Sequence, residues 1–354
     1  MESLESFAIA HAAMVFGCFI PALMIFCSTF CTVRRDKDPA RTAFTYLKYA
    51  LVTFSLYALF AAANSAFNAA YSIMILHDGQ PIDNYDNVPI NVLIALGYAR
   101  PISAIVWQFF EMITDILIMI ILLRLCTGIL MVHHAPIPHS KPYFDKNLRF
   151  ASYGAALVLL ALALASLGLN IRFLVSMYFG IDDDPFIIMA RVTQVSFAFK
   201  VLVFVISLGT VVKAVLVRRR AKPDMGMRND TKTYGHISSD RNLTWVSNML
   251  IAASVVWLLH TSFAMASFAA WNNLESPRKD RPMEYLPFYY IFEALFNIWP
   301  QFITLVLVYL MGRKKQDGVW MKQEESLPTV NASGPAYTIS AVRAPVEHYS
   351  EKQV

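Results

Sequence analysis

Residues Trp107–Ile120 read "WQFFEMITDILIMI", a run apolar enough to cross a bilayer that nonetheless carries Glu111 and Asp115. On a helix, the four-residue spacing places both carboxylates on one face, with Gln108 one turn earlier. A charged side chain at the centre of a membrane helix costs about 2.5–3.5 kcal/mol on insertion scales, and such residues usually face a bundle interior or a water-filled cavity. The stretch therefore predicts one helix of a multi-helix membrane bundle, with its polar face turned inward.

The rest of the chain supports this reading. Its 354 residues are 56% hydrophobic and 16% charged, with a mean hydropathy of +0.46; soluble domains are roughly 25% charged. Seven runs reach the length of about 20 residues that a span requires: Phe7–Val33, Phe44–Leu76, Pro101–Val132, Phe150–Tyr178, Phe186–Val217, Leu243–Trp271 and Tyr285–Met311. The expected fold class is all-α, a polytopic bundle of seven transmembrane helices, with residues 1–315 as its membrane domain. Alternate loops hold twenty Lys and Arg on one side and five on the other, where acidic stretches such as "HDGQPIDNYDN" occur. Because cytoplasmic loops retain Lys and Arg, the N-terminus is expected outside and the C-terminus in the cytoplasm.

Several segments are excluded from carrying chemistry. The opening "MESLES" is acidic where a signal peptide is basic, so the first run reads as a retained span. Cys18, Cys27, Cys31 and Cys126 all fall within spans and define no outer disulfide. "DDDP", Asp182–Pro185, reads as a solvated turn, and no metal or cofactor motif accompanies it. The basic loop around residues 218–241 suits a solvated cytoplasmic segment able to lie against anionic lipid headgroups, but reads first as a plain positive-inside anchor, and no nucleic-acid partner is expected. From Gln316 to Val354 the chain is polar and is expected to be a disordered cytoplasmic tail.

Other spans carry polar stripes of their own. The seventh holds Tyr289, Glu293, Asn297 and Gln301 at four-residue steps beside Pro300, which lacks the N–H needed for regular helical bonding. The second holds Tyr57, Asn64, Asn68 and Tyr71, and the sixth Trp257 and His260. Projected on membrane depth, these groups gather in the outer half and at the midplane. That pattern predicts an aromatic-walled cavity opening outward, the usual form of a small-molecule site. Gln108, Asn64, Asn68, His260, Tyr289 and Asn297 are then candidate ligand contacts, although Asn and His also join membrane helices through hydrogen bonds worth about 0.6–2 kcal/mol. Glu111, Asp115 and Glu293 bring more negative charge than packing needs, and are the candidate chemical groups.

Burial disfavours the charged form of a carboxyl group, so an acid in such a site can hold a proton. It can then donate to an epoxide oxygen or alkene while aromatic faces stabilise the resulting cation. The seven-span plan with intramembrane Glu111, Asp115 and Glu293 resembles the integral-membrane terpene cyclases and related multi-span proteins of fungal indole-diterpene and meroterpenoid pathways. The resemblance implies acid-initiated cyclisation of an isoprenoid, with those three residues as acids and no cofactor. A seven-helix receptor shares the topology and the basic third inner loop, but Arg124 in "LLRLCTG" has no acid before it and the seventh span reads "NIWPQF". A lipid or proton-coupled transporter would use the same acids as relays. Under each reading the partners are the bilayer and a small hydrophobic, isoprenoid or lipid-like ligand.

Overall fold

The computed structural model describes residues 2–31, 41–76, 90–134, 143–180, 185–220, 236–271 and 288–313. Its elements are α1 (Glu2–Cys31), α2 (Arg41–Leu76), α3 (Ile90–His134), α4 (Tyr143–Phe179), α5 (Pro185–Arg220), α6 (His236–Trp271), α7 (Phe288–Glu293), a π-turn (Ala294–Ile298) and α8 (Trp299–Arg313). Among the described residues, seven helical segments are long and apolar enough to cross a membrane: Ser6–Phe30, Thr42–Ile73, Ile94–Leu130, Phe150–Tyr178, Pro185–Arg219, Thr244–Ala270 and Tyr289–Arg313. The last joins α7, the π-turn and α8. The expected tail from Gln316 onward and residues 221–235 of the basic loop lie outside the described residues, whereas the ends of that loop are helical, in α5 as far as Arg220 and in α6 from His236.

The helices outrun the hydrocarbon thickness of a bilayer. At 1.5 Å per residue, the 36 residues of α2 and 45 of α3 reach about 54 and 68 Å, against about 30 Å of hydrocarbon. The third span starts at Ile94, seven residues before the expected Pro101, because α3 continues through Pro101 from Ile90. Proline has no N–H for the carbonyl four residues back, which here is that of Gly97. Tyr178 Oη on α4 donates to this carbonyl at 2.8 Å, so a neighbouring helix supplies the missing donor. Two residues later α4 stops at Gly180, whose φ of +62° suits a residue without Cβ and whose N–H reaches Ser176 O at 3.2 Å.

Helix α3 is the centre of the bundle. Its apolar window is 78% buried, against 17% for α4, and it packs on α2, α4, α5 and α6. Its C-terminal half builds an apolar core from Ile118, Ile121, Leu122 and Leu125 with Leu47, Leu51 and Phe54 of α2, Leu250 and Ala253 of α6, and Leu305 and Val308 of α8. Side chains such as Phe150, Leu157 and Met24 point outward, 76%, 70% and 66% exposed. The large aliphatic side chains of the core thus gather along the C-terminal half of α3, and the carboxyl groups of α3, Glu111 and Asp115, precede them.

Candidate functional site

Three carboxyl groups lie within the spans, on α3 and at the end of α7, and each faces a base from another helix. Glu111 Oε1 of α3 accepts from Lys200 Nζ of α5 at 3.3 Å and from Asn297 Nδ2 of the π-turn at 3.2 Å. Asp115 Oδ1, one turn further along α3, meets His260 Nε2 at 3.0 Å and receives N–H groups from Gln301 Nε2 at 2.8 Å and Trp257 Nε1 at 3.3 Å. Glu293 Oε2 lies 3.9 Å from His11 Nε2 of α1, beyond hydrogen-bonding distance. His11 Nδ1 in turn is 2.8 Å from Ser65 Oγ of α2.

The π-turn connects these groups. Pro300 has no N–H to give the carbonyl of Phe296, and the backbone takes an i→i+5 step instead, with Trp299 N–H donating to Ala294 O. On this turn Asn297 works in three directions. Its Nδ2 also reaches Tyr57 Oη at 3.3 Å, while its carbonyl oxygen accepts from His260 Nδ1 at 2.8 Å. A carbonyl can only accept, so Nδ1 carries a proton and Nε2 is left to face Asp115.

A cavity of about 330 Å³ opens between these helices, within the range of small-molecule sites. Trp107, Gln108 and Glu111 of α3, Asn170 and Phe173 of α4, Ser196 and Lys200 of α5, and Phe263 and Phe268 of α6 line it, together with Tyr289, Glu293 and Asn297. Five of the residues expected at a site therefore share its wall: Gln108, Glu111, Tyr289, Glu293 and Asn297. Gln108 Nε2 is tied to Ser196 Oγ at 3.3 Å, which meets Ser166 Oγ at 3.0 Å. Trp107 Nε1 and Asn297 Oδ1 are buried without a hydrogen-bond partner among the described residues, an uncommon condition in a native interior.

The other four expected residues are elsewhere. Asp115 and His260 are buried behind the wall, 5% and 0% exposed, sealed among Trp257, Gln301 and each other. Asn64 accepts from Ser103 Oγ at 3.2 Å and so joins α2 to α3. Asn68 Oδ1 is buried with no partner among the described residues. Arg124 stacks over the Tyr153 ring at 4.6 Å.

The structure adds to the sequence reading the partners of the three acids. Glu111 meets Lys200 and Asp115 meets His260, while Glu293 stands 3.9 Å from His11, a residue absent from the sequence expectations. It stands alone in an apolar span with no polar stripe, and only the general rarity of ionisable residues at membrane depth marks it. Among the described residues, no three His, Cys, Asp or Glu side chains gather as metal ligands would. Comparison of the chain with protein-family models, curated proteins and solved structures finds no match.

Proposed function

We propose that the chain is a multi-pass membrane protein, N-terminus outside and C-terminus in the cytoplasm, that takes a small, largely apolar molecule into its cavity. Outward-facing Phe150, Leu157 and Met24 support insertion, since such apolar surface is costly in water. With the orientation read from loop Lys and Arg, the cavity opens in the outer half. The observation that carries the function is the wall itself: Trp107, Phe173, Phe263 and Phe268 supply apolar area, and Glu111, Lys200, Glu293 and Asn297 converge as polar anchors.

The test uses a variant that fills the cavity without touching its ion pairs. Ala264 lies on the wall and is 8% exposed, so Ala264→Trp places an indole where the ligand would sit. Farnesol, a neutral isoprenoid alcohol, should raise the melting temperature of the purified wild type in detergent, because a ligand bound only to the folded state stabilises it. The variant should respond weakly. Equal responses of the two proteins, or none from either, would count against the cavity as a binding site.

Acid-initiated cyclisation is a second reading, favoured by one contact. Glu293 lines the cavity and stands 3.9 Å from His11 without a hydrogen bond, whereas Glu111 is engaged by Lys200 and Asp115 is sealed away. Glu293 is therefore the group placed to protonate an epoxide or alkene against the aromatic wall. Microsomes supplied with epoxidised prenyl compounds should yield isomers of unchanged mass. Glu293→Gln should reduce their formation by about a hundredfold or more, the scale of general acid catalysis; full activity in that variant would remove the reading.

A further inference from the structure

We infer that Lys200 forms a Schiff base with a hydrophobic aldehyde held in the cavity, with Glu111 as proton carrier and counter-ion. The inference rests on the cavity admitting a small apolar molecule and names the reactive group of that molecule. Lys200 lines the cavity with its side chain 13% exposed, while Glu111 beside it is 3% exposed. The amine is thus open to a ligand while its carboxylate partner is almost enclosed. Asn297 Nδ2 holds the same Glu111 oxygen at 3.2 Å, so the counter-ion is fixed from a second helix. The Phe268 ring centroid lies 5.8 Å from Nζ, within the range at which an aromatic face stabilises a cation.

Trp107, Phe173, Phe263 and Phe268 make most of the wall apolar, and Glu111 already neutralises Lys200 across 3.3 Å, so a neutral apolar carbonyl compound can enter without displacing that pair. Lysine is the side chain that forms imines with carbonyl compounds, and largely buried lysines in apolar pockets are the usual sites of that chemistry; here Glu111 is the group on hand to take the ammonium proton.

The step balances in place. Glu111 takes a proton from the Lys200 ammonium, and the free amine adds to the aldehyde carbon to give a carbinolamine. The proton on Glu111 passes to the carbinolamine oxygen, the C–O bond breaks, and water leaves. The product is a protonated imine, R–CH=NH⁺–Lys200, beside ionised Glu111. Ammonium and aldehyde become iminium and water with no change in net charge and no oxidant or reductant.

The test treats the full chain in membranes with farnesal, reduces with borohydride and maps the modified lysine by peptide mass spectrometry. Adduct is expected at Lys200, to be suppressed by excess farnesol and absent in Lys200→Arg, which keeps the charge opposite Glu111 but forms no imine. Glu111→Gln should slow adduct formation by about a hundredfold or more, and farnesol stabilisation of that variant will show that its cavity is intact. Adduct spread over loop lysines and unchanged in Lys200→Arg overturns the inference. So does farnesol binding with no adduct at Lys200, an outcome that leaves the cavity's binding role standing. If neither compound stabilises the protein or reacts within it, the binding role fails first and the inference with it.

Discussion

At the scale of single residues, the acids are separated by what surrounds them. Asp115 Oδ1 receives N–H groups from Trp257 and Gln301 and faces His260, so Asp115→Asn can turn an amide N–H toward other donors. A buried polar group left without its partner costs about 1–3 kcal/mol, and the melting temperature in detergent should fall measurably. Glu293→Gln disturbs only a 3.9 Å contact and should melt close to the wild type; an equal drop in both would mean that Glu293 is as structural as Asp115. The Glu111–Lys200 pair makes a different prediction. Lys200→Met alone leaves an unpaired buried carboxylate and should cost about 3–5 kcal/mol, whereas adding Glu111→Gln should recover much of the loss. Additive losses in the double variant would show that the two groups are not coupled.

At the scale of elements, two prolines shape the helices that carry the site. Because Tyr178 Oη serves the carbonyl that Pro101 leaves unpaired, Tyr178→Phe should destabilise the wild type by about 1–3 kcal/mol. In a Pro101→Ala background, the restored backbone N–H can serve Gly97 O, and the same substitution should cost distinctly less. A thermal-unfolding cycle with equal costs in both backgrounds would break the link between the two residues. Pro300 acts through the π-turn, which sets where Asn297 projects. Pro300→Ala should allow a regular α-helical step and rotate Asn297 away from Glu111 and Tyr57. Ligand-induced stabilisation should then weaken even where the unliganded protein melts no lower, and unchanged ligand response would show that the π-turn is incidental to the cavity.

At the scale of the whole molecule, the proposed orientation decides which compartment the cavity faces. Cysteines introduced near Asp83 and Arg228 should label oppositely with an impermeant reagent applied from outside, the first modified and the second spared. The reverse pattern would turn the cavity toward the cytoplasm and exclude access from the outer side. The contrast between the close-packed aliphatic core along the C-terminal half of α3 and the cavity beside Glu111 predicts where stability resides. Core truncations such as Leu122→Ala should cost about 2–5 kcal/mol, more than shortening a cavity aromatic that already borders empty space.

Much of this was legible in the chain because membrane helices are specified locally. Length and apolarity marked the seven segments within a few residues, and the four-residue spacing of Glu111 with Asp115 and of Glu293 with Asn297 marked the inward faces. Boundaries failed where another helix compensates a local defect, as Tyr178 does for Pro101. Which acid meets which base was decided only by the tertiary structure, since Lys200, His260 and His11 come from three different helices and the sequence carries no signal of how those helices are rotated against α3 and the π-turn. Periodicity along one helix determines which side chains share a face. Only packing determines what that face meets, and here it matched each acid with a base and left a cavity beside two of the three.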